Sequence, residues 1–275
     1  MKRAAVGAII AVSLLATAGC GSDEPEASGG ASGNMILATT TSTQDSGLLD
    51  EILPLFDKGS DCVVKTVAVG SGQAIEMGVK GDADALLVHS PEAEEQFMSD
   101  GHGSSREAVM HNDFVVVGPP DDPAGVSDAE DAADALSRIA DEKAPFASRG
   151  DDSGTHTKEL SIWEQAGIKP SGSWYIETGQ GMGETLTVAD QKKAYTLTDR
   201  STFLATESLE SDISFEGSDD LLNNYHVIVV DHEGTNEACA EEFSSWILDE
   251  STQDTIGEFG VEEFGEQLFA PDAKN

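Results

Sequence analysis

The sequence predicts a two-lobed α/β protein built on parallel strands, and three observations lead to this fold class. First, a strand, a small polar loop and a helix recur three times between residues 35 and 99, which is the pattern of parallel α/β units. Second, similar units return after residues 119–134, a segment rich in proline, aspartate and alanine. Third, 275 residues with 39% hydrophobic content can form a substantial core, in one large domain or two smaller ones.

The elements of the first lobe follow from apolar runs and their periodicity. Strands are predicted at residues 35–39, 62–69, 84–89 and 112–118, and helices at residues 48–56, 74–79 and 92–99. Ligands of such sheets bind at the carboxyl ends of the strands. The loops at these ends carry small hydroxyl residues, among them Thr40, Thr41, Ser42, Ser71 and Ser90.

The second lobe is predicted from strands at residues 145–148 and 174–177 and helices at residues 158–166 and 184–190. The chain then returns through a strand at residues 225–230 and ends in helices at residues 239–248 and 252–259. Lobe I therefore comprises residues 35–117 and 225–275, and lobe II comprises residues 118–224. Two crossings and polar loops around one cleft indicate a hinged binder that closes on its ligand.

Residues 146–158 contain the candidate anion site of the second lobe. Ser153 and Thr155 are residue types that cap helices, and Gly154 lets the backbone approach a ligand closely. Helix N-termini carry unpaired N–H groups and bind anions, and Arg149 adds a permanent cation with a planar set of donors. Alternatively, Ser153-Gly154-Thr155 is only a helix cap, and Arg149 pairs with Asp151 or Asp152.

The charge balance limits the partners. The chain has 52 acidic and 15 basic residues, a net charge of −37, so nucleic acid and anionic membrane surfaces are repelled. The acidic residues are scattered along the chain, which is typical of the solvated surface of a halophilic protein. An anion site in such a protein must depend on short-range donors, because the overall field opposes binding and reaches only ~3 Å at 1 M salt.

The N-terminus has the pattern of an export signal. Residues 1–19 contain Lys2 and Arg3, an apolar run too short for a membrane span, and then small residues. Residues 17–20 resemble a lipobox, although Thr17 replaces the usual leucine, and this predicts lipidation of Cys20. Residues 20–34 then form the anchor and a flexible tether. A plain secreted protein is the alternative, and the export route, general or twin-arginine, stays open.

The other candidate chemistries are weaker. Export makes a disulfide between Cys62 and Cys239 chemically allowed, but the sequence leaves it open. Ser153, His156 and Asp152 crowd into five positions, whereas a catalytic triad converges from separate segments. The histidines lack metal-ligand spacing, and surface or capping roles are predicted for them. We therefore expect neither catalysis nor a metal or cofactor.

Seven segments carry a resemblance to a known family. They are LATTTSTQDSG (residues 37–47), VGSGQA (69–74), VHSP (88–91), HNDF (111–114), SRGDDSGTH (148–156), TGQGMG (178–183) and YTLTDR (195–200). Together they resemble the TupA-type tungstate-binding components of ABC importers, over nearly the whole mature chain. The resemblance implies a type II periplasmic-binding-protein fold with the ligand, tungstate or molybdate, in the cleft between the lobes.

The resemblance also implies the site residues and the partners. The ligand contacts carried over are Thr40, Thr41, Ser42, Ser71, Arg149, Ser153, Gly154 and Thr155. The implied partners are a membrane permease and its ATPase, and we expect a monomeric receptor held outside the cytoplasm by its lipid.

Phosphate, sulfate or molybdate are alternative ligands for a binding protein of the same fold. A secreted hydrolase is a remote alternative function. Because phosphate near neutral pH keeps a proton, its site would need an inward carboxylate, such as Asp45, Asp151, Asp152 or Asp199.

Overall fold

A mixed β-sheet runs through the part of the chain that the computed structural model describes, residues 31–273. Strand β1 (Ser32–Thr40) lies between β2 (Asp61–Val69) and β3 (Ala85–Val88), and both pairings are parallel. The helices that follow these strands are α1 (Thr41–Asp45), α2 (Leu48–Gly59), α3 (Ser71–Lys80) and α4 (Pro91–Ser99). The three predicted strand–loop–helix units are therefore present, with the short helix α1 added.

Strand β4 (Gly103–Gly118) connects the two halves of the fold. The first half contains β1, β2 and β3, and the second half is formed by the elements that immediately follow β4 in the chain. The first part of β4 pairs antiparallel with β9 (Leu222–Val230), and its last part pairs with β7 (Thr196–Asp199) and β8 (Asp212–Phe215). The predicted strand at residues 112–118 missed the first nine residues of β4. Polar residues interrupt the apolar pattern there, and pairing with the distant β9 provides the backbone hydrogen bonds.

The second half contains a separate parallel pair, β5 (Phe146–Ser148) and β6 (Tyr175–Glu177). Its helices are α5 (Ala132–Glu142), α6 (Gly154–Gln165), α7 (Met182–Lys192) and α8 (Arg200–Ala205). Helix α5 was not predicted, because its alanines and aspartates resemble a linker. Its small apolar residues nevertheless recur at helical spacing and are buried, and Asp131 caps it by accepting a 2.7 Å hydrogen bond from the backbone N–H of Asp134.

Two 3-10 turns, Val126–Asp128 and Asp219–Leu221, contribute Val126 and Leu221 to the core of the second half. The first half is completed by helices α9 (Glu237–Leu248), α10 (Glu250–Glu258) and α11 (Val261–Phe264) and by the short strand β10 (Ala270–Pro271). No helix among residues 31–273 is both long and apolar enough to cross a membrane.

Two large hydrophobic clusters occupy the two halves. One contains Leu37, Phe56 and Phe243, and the other contains Phe146 and Trp163. Burial of aromatic and aliphatic side chains in such clusters is the main favourable contribution to folding. The predicted lobe boundaries, 35–117 with 225–275 and 118–224, remain a prediction.

The N-terminal boundary differs slightly from the sequence prediction. Strand β1 begins at Ser32, and its residues 32–34 pair with residues 61–63 of β2, so the last three residues of the predicted tether are strand. The predicted signal at residues 1–19 and the lipid-bearing Cys20 lie outside the described residues.

A disulfide joins Cys62 of β2 to Cys239 of α9, with 5.8 Å between the two Cα atoms. Both cysteines are buried within the first hydrophobic cluster. The pairing that the sequence left open is thus present in the structure.

Candidate anion-binding site

The candidate site is formed by segments that follow β1, β2, β3 and β5. Among residues 31–273, seven buried side-chain nitrogen or oxygen atoms have no hydrogen-bond partner. They are Thr41 Oγ1, Ser42 Oγ, Ser71 Oγ, His89 Nδ1, Ser148 Oγ, Arg149 Nε and Thr155 Oγ1. Folded proteins pair nearly all buried polar groups, and each unpaired one costs about 1–3 kcal/mol. Each of these atoms belongs to the last residue of a strand, to the loop that follows it or to the first turn of the next helix, and a ligand at the carboxyl ends of the strands can satisfy them.

Gly154, the first residue of α6, brings the two halves of the site into contact. A Cβ atom on Gly154 would lie 2.9 Å from Ser71 Oγ, 3.0 Å from Ser90 Oγ and 3.1 Å from His89 Cε1. These separations are shorter than ordinary carbon contacts, so only glycine allows the approach without a shift of its neighbours. The N-termini of α3 and α6 therefore lie close together, and their free N–H groups add partial positive charge.

Helix α1 is held against the second half by two further hydrogen bonds. Asp45 Oδ2 accepts a 3.3 Å bond from the backbone N–H of Gly183, and Thr202 Oγ1 donates a 3.2 Å bond to the carbonyl oxygen of Ser42. Burial raises the pKa of the Asp45 carboxyl above its ordinary value. These contacts fix Thr41 and Ser42 at the site.

Arg149 is the buried cation of the site, with 2% of its surface exposed. Its Nη2 donates a 2.6 Å hydrogen bond to Asp151 Oδ2, while Nε has no partner. Asp151 Oδ1 also accepts from the backbone N–H of Ser153 at 3.2 Å. The ion pair between Arg149 and Asp151, which the sequence suggested as an alternative, is therefore present. It orients the guanidinium and leaves the Nε–H group available for a ligand. The Asp152 side chain is exposed to solvent.

Two of the predicted ligand residues use their hydroxyls as helix caps. Thr40 Oγ1 caps α1 by accepting from the backbone N–H of Thr43 at 3.2 Å, and Ser153 Oγ caps α6 by accepting from that of His156 at 3.2 Å. The structure brings all eight predicted residues to this region, and five of them hold unpaired atoms: Thr41, Ser42, Ser71, Arg149 and Thr155. Their assignment as ligand contacts remains a prediction.

Sequence reasoning missed His89 and Ser148. His89 was predicted to lie at the surface or in a cap, yet only 5% of it is exposed, and its ring lies 4.7 Å from that of Tyr225. Its Nε2 bonds to Thr40 Oγ1 at 3.1 Å, and burial lowers the pKa of the imidazole. The available signal was position, since each residue ends a strand segment just before a polar loop.

The aspartates that could have accepted a proton from a ligand are occupied elsewhere or exposed. Asp199 is fully buried and accepts hydrogen bonds from Ser201 Oγ at 2.6 Å and from the backbone N–H of Thr202 at 2.9 Å. Asp151 binds Arg149, Asp152 is exposed, and Asp45 binds the Gly183 N–H. The site therefore offers mainly donors, which suits a fully deprotonated anion.

Ser153, His156 and Asp152 do not form a proton relay. His156 reaches the Ser153 hydroxyl through its backbone N–H, and its ring Nδ1 accepts a 3.1 Å hydrogen bond from the backbone N–H of Asp152. A triad requires the ring itself to contact the nucleophile. The three residues instead form the cap at the start of α6.

The fold and this donor-rich site define a class of binding protein. Residues 24–251 match the family described as PBP superfamily domain, so the chain belongs to the periplasmic-binding-protein (PBP) superfamily.

Similarity to individual proteins identifies the family within this superfamily. The chain is 47% identical to the tungstate-binding protein TupA of Peptoclostridium acidaminophilum, over 99% of each chain. It is similar to the crystal structure of the tungstate ABC transporter from Geobacter sulfurreducens, with 43% identity, a TM-score of 0.74, and coverage of 82% of this chain and 98% of the other. It is also similar to the structure of the tungstate-binding protein TupA from Desulfovibrio alaskensis G20, with 42% identity, a TM-score of 0.72, and coverage of 88% of this chain and 99% of the other. Within the PBP superfamily, the chain belongs to the TupA family.

Proposed function

We propose that this protein captures tungstate outside the cytoplasm and delivers it to the permease of an ABC transporter. The observation that supports this best is the group of seven buried, unpaired polar atoms. They occur in a chain that shares 47% of its residues with a tungstate-binding protein.

The chemistry of the site fits a tetrahedral dianion. Hydroxyls, helix N–H groups and Arg149 provide donors from both halves, and each hydrogen bond to a charged group contributes about 1.5–3 kcal/mol. Six to eight such bonds, less the costs of dehydration and closure, correspond to nanomolar or tighter binding. Because the net charge of −37 opposes anions at long range, these short-range donors carry the affinity.

Other oxyanions are ranked by proton content and size. Phosphate near neutral pH carries a proton that needs an acceptor, and Asp199, Asp151 and Asp45 are engaged with donors of the chain itself. Sulfate has the same donor requirement as tungstate but is smaller, so cavity size distinguishes the two. Molybdate resembles tungstate in charge and shape and is expected to compete with it.

The protein acts as a receptor without catalysis and without a cofactor. We infer this from the capping geometry of Ser153 and His156 and from membership of a substrate-binding family. Tungsten is held as an oxyanion, through its oxygen atoms.

The cellular arrangement follows from the N-terminus and the family. A lipid on Cys20 holds the receptor at the outer face of the cell membrane, and the tether allows the folded part to reach the permease with its ATPase. The receptor works as a monomer and has no affinity for nucleic acid, because its acidic surface repels phosphate backbones.

Calorimetric titration with tungstate, molybdate, sulfate and phosphate at high salt tests the ligand. We expect tungstate to bind tightest and sulfate and phosphate to bind at least a hundredfold more weakly. If phosphate bound tightest, or if none of the four anions released heat, the proposed function would be wrong.

Replacing Arg149 tests the site. Arg149→Ala is expected to lower tungstate affinity at least tenfold without unfolding the protein, since the variant loses a buried cation that faces the ligand. Arg149→Lys keeps the charge but loses the planar donors, so its affinity should be intermediate. Arg138→Ala is the matched control, because Arg138 binds the carbonyl oxygens of Gly125 and Asp128 away from the site. Equal affinity of Arg149→Ala and wild type would remove Arg149 from the site.

A further inference from the structure

A cavity of about 590 Å³ adjoins the anion site but is distinct from it. It shares Gly154, His89 and Ser90 with the margin of the site, and its lining also includes Lys158 and Phe114. The buried hydroxyls of Thr41, Ser42 and Thr155 are not part of its lining. The cavity therefore lies beside these donors and does not include them.

The contact at Gly154 lies between the cavity and the unpaired atoms of the site. Ser71 and Ser90 approach Gly154 so closely that a Cβ atom there would lie 2.9–3.0 Å from their hydroxyl oxygens. Ser71 holds one of the unpaired atoms of the site, whereas Ser90 and Gly154 line the outer cavity. An anion in this cavity is thus one contact away from the inner donors.

Lys158 provides the positive charge of the cavity wall. Its ammonium donates a 2.8 Å hydrogen bond to the carbonyl oxygen of Asp220 and lies 5.9 Å from the centre of the Phe114 ring. An ammonium has three N–H donors, so this bond leaves others for an anion. Among the residues that line the cavity, Lys158 is the one lysine or arginine, and Glu92 and Asp152 are carboxylates with exposed side chains.

The lining of the cavity contains a second polar group. His89 is 95% buried, lines the cavity, and carries an Nδ1 atom without a hydrogen-bond partner. The partly exposed Lys158 and the buried His89 therefore both present polar groups to this cavity. In a protein with a net charge of −37, a local cation at this position is the feature that favours the approach of an anion.

We propose that this cavity is a vestibule in which Lys158 holds the incoming oxyanion before the contact at Gly154 opens and the anion enters the inner site. This proposal rests on the proposed function and adds a kinetic role for a residue outside the binding site. The vestibule selects for charge alone, so tungstate and molybdate use it equally, and selection between anions takes place at the inner donors.

The test compares association and dissociation rate constants in the full chain. Tungstate binding is followed by stopped-flow intrinsic fluorescence at several salt concentrations, and dissociation is also measured by exchange of radioactive tungstate on filters. Lys158→Gln is expected to lower the association and dissociation rate constants by the same factor, three- to tenfold at low salt, because Lys158 contacts the anion only on its way to or from the inner site. The difference should shrink at high salt, because screening weakens steering. Molybdate should show the same ratio.

Two variants separate charge from structure. Lys158→Arg keeps the charge and should restore rapid association. Lys169→Gln removes one positive charge from an exposed position outside the vestibule and should leave both rate constants unchanged. An unchanged association rate constant in Lys158→Gln, or no rescue in Lys158→Arg, would overturn the proposal. The proposed function is judged separately, by whether the wild-type protein binds tungstate at all.

Discussion

At the scale of single residues, the site is marked by hydrogen bonds that the chain does not make. Thr155 and Thr196 illustrate the difference, since both are buried threonines in the second half. Thr196 Oγ1 donates a 2.7 Å hydrogen bond to the carbonyl oxygen of Ala147, whereas Thr155 Oγ1 has no partner. The unpaired hydroxyl lowers the stability of the ligand-free protein, and this cost is offset when an anion accepts its hydrogen bond.

Replacing Thr155 by valine should therefore separate stability from binding. Thr155→Val keeps the shape, removes an unpaired hydroxyl, and is expected to leave the midpoint of thermal unfolding of the ligand-free protein equal or slightly higher. Tungstate affinity should fall about 10- to 100-fold, because one hydrogen bond to a charged ligand is lost. Calorimetric titration and thermal unfolding measure the two effects.

Thr196→Val is the matched control. It removes a hydroxyl that is paired within the fold, so it should destabilise the protein by about 1–2 kcal/mol and leave tungstate affinity nearly unchanged. Thr155 would have a structural role only if Thr155→Val unfolded at a lower temperature and bound tungstate as tightly as wild type.

At the scale of elements, helix α6 connects its N-terminal cap at Ser153 and the preceding loop, which carries Arg149, to the hydrophobic core. Its first turn holds Gly154 and Thr155 at the site, while Glu159 lies in the core and accepts hydrogen bonds from Trp163 Nε1 at 3.0 Å and the Tyr175 hydroxyl at 2.7 Å. Burial raises the pKa of Glu159 to about 7. The helix is thus fixed at its second turn, which holds its N-terminus in register with Ser71 and His89.

Gly154→Ala should weaken binding by disturbing this register. The added methyl group would lie 2.9–3.1 Å from Ser71, Ser90 and His89, so the two N-termini must move apart, although alanine itself favours the helix. We expect at least a tenfold loss of tungstate affinity in calorimetric titration, with cooperative unfolding retained.

Gly59→Ala provides the control, because Gly59 ends α2 and a Cβ atom there has no heavy atom within 4 Å. Its tungstate affinity should match wild type. If Gly154→Ala bound tungstate normally, the close contact at Gly154 would have no part in holding the ligand.

At the scale of the whole molecule, long-range links join segments that are far apart in sequence. Strand β4 pairs with β9 and with β7, and the disulfide joins Cys62 to Cys239 across a sequence separation of 177 residues. A crosslink that closes a long loop lowers the entropy of the unfolded chain. The disulfide lies in the first hydrophobic cluster, and neither cysteine is among the residues with unpaired atoms at the anion site.

Removal of the disulfide should lower global stability and spare binding. The double variant Cys62→Ala/Cys239→Ala is expected to lose about 2–5 kcal/mol of unfolding free energy, measured by urea denaturation. Its tungstate affinity should stay within twofold of wild type at temperatures where it is folded. Reduction of the wild-type protein should shift the urea midpoint in the same direction, and an unchanged midpoint in both experiments would show that the crosslink contributes little.

The sequence by itself determined the features that depend on neighbouring residues. The strand–loop–helix units, the cap at Ser153 and the donors after each strand follow from local periodicity and residue type. The same local signals, in the order in which they occur, carried the resemblance to the TupA family. The carboxyl ends of parallel strands meet at one edge, so the sequence also predicted that these loops converge.

Only the tertiary structure decided the features that depend on distant partners. Whether a hydroxyl binds a ligand or caps a helix depends on what lies opposite it, as Thr155 and Ser153 show. Burial of His89 beneath Tyr225, the pairing of Arg149 with Asp151, and the extension of β4 along β9 all require contacts across space. Hydrogen bonds and packing act over a few ångströms, and the fold, not the order of residues, determines which groups come that close.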